Sequence, residues 1–216
     1  MNFVDVFDQL RNIAIVARKC PTPVLQAAYV TAFRDWCTQT QWLRETVPGM
    51  TTADLSLYSL GADPLLEIIA IQAMSVTSTP PGGTTPQTTV MMPTDSGSWD
   101  ANRPASRPRW YSYVPEGQFA LFPTPDAVYD LTITVVVSPV DNVARIPEAP
   151  LRKYSSVFEA GALAQLLQVP GQPWTDPGRA QREARIFSSG VSNGKAEVQR
   201  NFNTGAQRVR PRPFII

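Results

Sequence analysis

The sequence predicts an α+β chain: a four-helix bundle built from an N-terminal and a C-terminal helical pair, with a small antiparallel β-sheet or sandwich and a long extended loop inserted between them. Three observations carry this expectation. Apolar residues recur at spacings of three and four near both ends, but at a spacing of two in the middle. Pro and Gly mark the changes of period. One stretch, 75–108, has Ser, Thr, Pro or Gly at 21 of its 34 positions and cannot form a packed core of its own.

The first helical pair occupies 1–50. Phe3, Phe7, Leu10, Ala14 and Ala17 share one face of a modest amphipathic helix that ends near Lys19. Cys20-Pro21 breaks it. Thr22 is a fitting N-cap and Pro23 a fitting first helical residue. Leu25, Ala28, Tyr29, Ala32, Phe33, Trp36 and Leu43 then keep one stripe, and Pro48-Gly49 closes the segment.

The β part is expected over 51–145. Leu55–Leu60 is a short strand, and Leu66–Met74 has the length and apolarity of a strand buried on both faces. Loop 75–108 follows, either touching a neighbour or partly mobile, since so long a loop is usually functional or disordered. Its strong anchors are Met91, Met92 and Trp99. Arg109–Val114 and Gln118–Phe122 flank a Pro-Glu-Gly turn. Tyr129, Leu131, Ile133, Val135 and Val137 alternate with Asp130, Thr132, Thr134 and Ser138, a half-buried strand with one wet face.

The second helical pair spans 146–203. Pro150 suits a helix start, and Leu151, Tyr154, Phe158, Ala162 and Leu166 follow at helical spacing. Residues 161–167 are apolar almost all round, so this helix should be enclosed. After a Pro/Gly turn, Asp176 caps a helix that starts at Pro177 and keeps Ala180, Ala184, Phe187, Val191, Val198 and Phe202 on one stripe. Gly194 stands where that stripe lacks an apolar residue and allows another backbone to come close. Continuous to Phe202, this helix would be roughly 40 Å long.

An arm, 204–216, completes the chain. Arg208, Arg210 and Arg212 alternate along it, prolines stiffen it, and Phe214, Ile215 and Ile216 end it. Basic reach with an apolar plug reads as a docking arm. Charge is distributed to match. Residues 179–216 hold eight Arg or Lys and two Glu, a net of +6, so the remainder carries −5 of the overall +1.

Composition excludes several function classes. Histidine is absent, which removes His bases, His-activated nucleophiles and His-ligated metals. Two cysteines, Cys20 and Cys37, suit neither a disulfide framework nor a zinc site and read as buried thiols. Pro80-Pro81-Gly82-Gly83-Thr84-Thr85 lacks the Lys and the helix of a phosphate loop. Glu159 reads as a rim charge or an ion-pair partner of the last helix. No catalytic residue, metal ligand or cofactor is expected, and the chain is expected not to be an enzyme. Neither a signal peptide nor a membrane span is expected, and a soluble protein made in a reducing cytoplasm fits.

Two segments together resemble the head-to-tail adaptors of tailed bacteriophages, of the kind found in short-tailed phages and akin to the tail tubular protein A, or gatekeeper, class. One is Cys20–Tyr29 with Ala32–Trp42, a helix of small and aromatic residues ending in Cys, Thr and Trp. The other comprises Ile146-Pro147, Glu159–Leu163, Pro173–Ala180, Phe187 and Gly190, a small-residue helix, a Trp-x-x-Pro turn and a long final helix. The resemblance implies a homo-oligomeric ring, typically of twelve copies, in the virion neck. Its helices and arm would dock on the portal protein, its β part would receive the tail tube or nozzle, and genomic DNA would pass through its channel without sequence-specific binding. Gly161, Gly190 and Gly194 would serve packing between copies. The alternative is a nucleic-acid-binding packaging protein that uses the basic C-terminal region. A weaker one is an enzyme with an unrecognised carboxylate site.

Overall fold

A computed structural model describes residues 1–61, 63–79, 85–95, 104–114 and 117–202. The chain is α+β, with four helices and mostly antiparallel sheets. Its start differs from the expected helix. β1 (Phe3–Asp5) comes first, then a 3-10 turn (Phe7–Gln9) and a six-residue α1 (Arg11–Val16). The Asp5 carboxylate accepts the Phe7 N–H at 2.8 Å, a local bond that turns the chain where a helix would have continued. β1 pairs with β10 (Arg145–Pro147), which ties the N-terminus to the start of α3 (Glu148–Leu166).

α2 (Thr22–Thr40) forms as expected, buried along Leu25, Tyr29, Phe33 and Trp36. Gln41 ends it in the left-handed conformation with φ 54°. Leu43 is therefore buried beyond the helix rather than on it. Pro48-Gly49 does not close the segment either: both lie inside β2 (Arg44–Met50). β2 is an edge strand paired only with β9 (Asp130–Pro139), the position at which a sheet tolerates proline.

Two four-stranded sheets make up the β part. The first has the order β2-β9-β4-β5, with β4 (Leu66–Ser78) and β5 (Gln87–Val90). The second has the order β3-β8-β7-β6, from β3 (Leu57–Ser59), β8 (Gln118–Phe122), β7 (Trp110–Val114) and β6 (Met92–Pro93), the last parallel to β7. Met74, Val76, Leu131 and Ile133 share one apolar cluster with Tyr111, Phe119 and Leu121 across the two sheets. The expected wet face of β9 holds only over its first half, where Asp130 and Thr132 are exposed. From Val135 to Pro139 nearly every side chain is buried, because α2 packs on this strand.

Much of the expected loop is ladder. Ser75–Ser78 extends β4 and pairs with β5, and the Thr77 and Thr88 hydroxyls meet at 2.9 Å. The Arg107 guanidinium donates to the carbonyls of Val76 and Gln87 and to the Thr89 hydroxyl, at 3.0–3.1 Å. One side chain from the end of the segment thus binds both strands near its start.

α4 (Pro177–Gln199) starts as expected, with the Asp176 carboxylate accepting the Arg179 N–H at 2.9 Å. α2, α3 and α4 all pack on one another, and α1 rests on α3 and α2. Glycines set how closely they approach. A Cβ on Gly190 would sit 2.4 Å from both Val157 methyls, one on Gly161 2.6 Å from the Phe187 ring, and one on Gly194 2.8 Å from the Thr40 methyl. We predict that Gly190→Ala lowers stability by about 1–3 kcal/mol, since overpacking outweighs a helix-propensity gain of ~1 kcal/mol. Urea unfolding of the two proteins measures the difference, and an unchanged or raised midpoint would contradict the contact.

Candidate functional site

Among the described residues, the features the sequence singles out are not gathered in one cleft. Gly161, Gly190 and Gly194 are buried, and the close approach that each permits is to the chain's own side chains. Met91, expected to anchor a loop on a neighbour, is 2% exposed and lies in the core, where its N–H donates to the Met74 carbonyl at 2.8 Å. Met92 is 66% exposed. Trp99, Arg208, Arg210, Arg212, Phe214, Ile215 and Ile216 lie outside the described residues. Glu159 is half-buried and accepts from the Asn12 amide at 3.0 Å, a partner on α1 rather than on the last helix. Cys37 is buried, and burial pushes its thiol up; Cys20 is half-buried rather than buried. Among the described residues, no group of three or more His, Cys, Asp or Glu could hold a metal ion, and no helix is long and apolar enough to cross a membrane.

The last feature among the described residues is a polar and aromatic knot at the end of α4. Glu197 sits in its last turn. Its carboxylate accepts from the Trp42 indole at 3.0 Å, from the Tyr154 hydroxyl at 2.6 Å and from the Lys153 ammonium. Three donors thus come from two other elements, the α2–β2 connection and α3. Burial pushes this carboxyl up, but the bonds from Lys153, Tyr154 and Trp42 outweigh it and hold the group below the usual carboxylate range. Burial first, then the bond to Glu197, pushes the Tyr154 phenol up.

Beyond α4 the chain turns sharply. Asn201 and Phe202 both have left-handed φ, 48° and 59°. For a bulky residue such as Phe this costs on the order of 1–2 kcal/mol. A seat for the ring offsets it. Phe202 meets Trp42 edge to face, with centroids 5.4 Å apart, and the Arg44 guanidinium lies 5.3 Å from its ring centroid. The last described residue of the chain is therefore held against the start of β2.

Sequence reasoning missed this knot. It places Phe202 on the α4 stripe, whereas the ring packs after the helix has ended. Trp42 and Glu197 are 155 residues apart, so no local spacing joins them. One signal was present: a lone acid, Glu197, beside Val198 at the end of a helix otherwise rich in Arg.

What the arrangement can do is mechanical. All of the carboxylate's donors are structural, and the knot holds the end of α4 and Phe202 against the α2–β2 connection and α3. We predict that Glu197→Gln destabilises the protein by about 1–3 kcal/mol at neutral pH, the range for hydrogen bonds to a charged group. Because the folded carboxyl titrates below its unfolded value, that stability is present above the ordinary carboxylate range and is lost as pH falls through the folded pKa. Urea midpoints of the two proteins should therefore converge at acid pH, and a pH-independent gap would contradict the ionised hub.

A search of curated proteins gives no match to the chain. A family model described as SU10 adaptor protein matches residues 1–212, and the chain belongs to this family of phage adaptor proteins.

Proposed function

We propose that this protein is the head-to-tail adaptor of a bacteriophage neck, one of a ring of about twelve copies (the number the resemblance implies). In this reading α1 to α4 form the bundle that faces the portal protein. The segment 204–216 docks on the portal, with Arg208, Arg210 and Arg212 as its basic reach and Phe214, Ile215 and Ile216 as its plug. The two sheets receive the tail tube or nozzle. The ring encloses part of the channel through which genomic DNA passes without its sequence being read. The protein acts by shape and contact, with no reaction of its own.

The observation that carries this reading, beside membership of an adaptor family, is the fixed exit of the arm. Phe202 is seated on Trp42 and Arg44 while Glu197 binds α4 to two neighbouring elements. A docking segment is most effective when its root does not wander, because less freedom is lost on binding. The three helix glycines are occupied within the chain and are left out of the proposed contacts between copies. Met92, exposed beside β7, remains available to a neighbour.

The test is a chain shortened after Thr204, offered to heads that carry the portal but no adaptor. The expected outcome is a protein with the circular dichroism and unfolding midpoint of the full chain that no longer joins heads. Incorporation equal to that of the full chain would refute the docking arm. The salt dependence of attachment to heads separates this from the packaging alternative. Binding through an apolar plug should change little between 50 and 200 mM salt, whereas binding through phosphates should fall by orders of magnitude over roughly that range.

A further inference from the structure

We infer that the outer face of α4 is a phosphate-backbone surface, the side of the helix that meets duplex DNA without reading its sequence. The proposal deepens the channel reading above and rests on it for the identity of the polyanion.

The face is defined by what α4 buries. Ala180, Gly190, Val191 and Gly194 turn inward. The exposed half of the helix carries Arg185 near its middle and Arg182 and Lys195 toward its two edges, with Ser188, Ser189 and Ser192 between them. Both carboxylates of the helix are engaged elsewhere. Glu183 pairs with Arg179 at 3.4 Å, and Glu197 is held by Trp42, Tyr154 and Lys153. Among the described residues, Arg182, Arg185 and Lys195 join no ion pair. An ordinary solvated helix face mixes both signs, often at i,i+4 spacing. This one gathers cations, although the chain outside 179–216 carries a net −5.

Size and chemistry fit a nucleic-acid backbone. Twenty-three residues make a helix about 34 Å long, the length of about ten base pairs at ~3.4 Å each. Arg182 and Lys195 lie about 20 Å apart along its axis, a span of several phosphates. The Ser192 hydroxyl donates to the Ser188 carbonyl at 3.0 Å, which leaves those of Ser188 and Ser189 as donors to phosphate oxygens beside Arg and Lys; such contacts position a duplex without specifying its sequence. An acidic protein partner is favoured less. Protein interfaces are anchored by large buried side chains, and Ile186 is the one large apolar side chain that α4 exposes.

The experiment uses the full-length chain and fluorescence anisotropy of two unrelated 30-base-pair duplexes between 50 and 200 mM salt. Arg182→Gln/Arg185→Gln/Lys195→Gln is compared with Arg208→Gln/Arg210→Gln/Arg212→Gln, with circular dichroism to confirm that both variants fold. The expected result is equal binding of the two duplexes and at least a tenfold loss for the α4 variant at 100 mM salt. The slope of log affinity against log salt should fall by about 2–3 for that variant, from ~0.9 per phosphate contact. Four outcomes would overturn the proposal: no duplex binding by the unaltered chain, an unchanged slope in the α4 variant, loss confined to the arm variant, or displacement of DNA by polyglutamate at equal charge. Incorporation of the same proteins into heads is scored in parallel. Heads that accept a chain with no affinity for DNA would remove the phosphate surface and leave the adaptor reading intact. Heads that never take up the chain, with the salt slope as expected, would do the reverse.

Discussion

Trp36 is fully buried where α2, α3 and α4 meet, and the helical layer is arranged around it. Its ring lies 4.8 Å from Tyr154, 5.3 Å from Phe158 and 5.9 Å from Trp42, centroid to centroid. Pairs of this kind each add about 0.5–1.5 kcal/mol beyond burial. So large an indole leaves little room for a third helix. Gly194 supplies the room, since a Cβ there would stand 3.0 Å from the indole. Gly190 lets the backbone itself come near enough for its carbonyl to accept from the indole nitrogen at 3.4 Å. The glycines look like weak points in a long helix and are the condition for its packing. Glu197 follows one turn later, already beside Trp42. The constraint at Trp36 thus extends to the place where the described chain ends.

A second set of contacts joins the helices to the sheets. Arg34 of α2 reaches Glu67 of β4 at 2.6 Å and also pairs with Asp141. Glu67 stands opposite Ser138 in the ladder, so this ion pair lies over the end of β9 that is buried on both faces. β4 is bulged twice against β9, which bends it and increases its twist. Arg107 then does for the β4–β5 hairpin what a longer apolar face would otherwise do. The helical layer is held by close packing, whereas the outlying hairpin is held by a cation whose three acceptors are on neighbouring strands. An apolar cluster that runs through both layers keeps them together.

This division explains what can be read from the residues and what cannot. α2 and α4 are legible because each has a stripe at helical period and a proline in its first turn, and β9 because its residues alternate without a break from Tyr129 to Val135. β2 is hidden. Pro48-Gly49 reads as a stop, and only the tertiary fact that β2 lies at an edge makes a proline there harmless. β5 and β6 are hidden by composition, since their support comes from Arg107 and β7 rather than from their own side chains. The N-terminal helix is over-read: five apolar residues at helical spacing are overruled by one short bond at Asp5 and by pairing with β10. At the candidate site the basic residues are visible as a run of charge, but the knot at the end of α4 depends on a contact across most of the chain.

The asymmetry of charge acquires a physical meaning once α4 is placed. Had its arginines been needed for folding, they would be paired, as Arg34 and Arg179 are. Exposed surface pairs contribute only about 0–1 kcal/mol, so nothing in the stability of the monomer requires Arg182, Arg185 and Lys195 to stay unpaired on the exposed half of α4. A phosphate backbone is the partner proposed above for them. Contacts with phosphates would be many, individually weak and indifferent to sequence, which suits a polymer that must slide as well as bind. The docking proposed for the apolar end of the arm would have the opposite character, a few anchoring side chains, which suits a joint that must stay closed. One helix would carry both functions in order: a polar face along its length, and at its end a rigid turn from which the fastening segment departs.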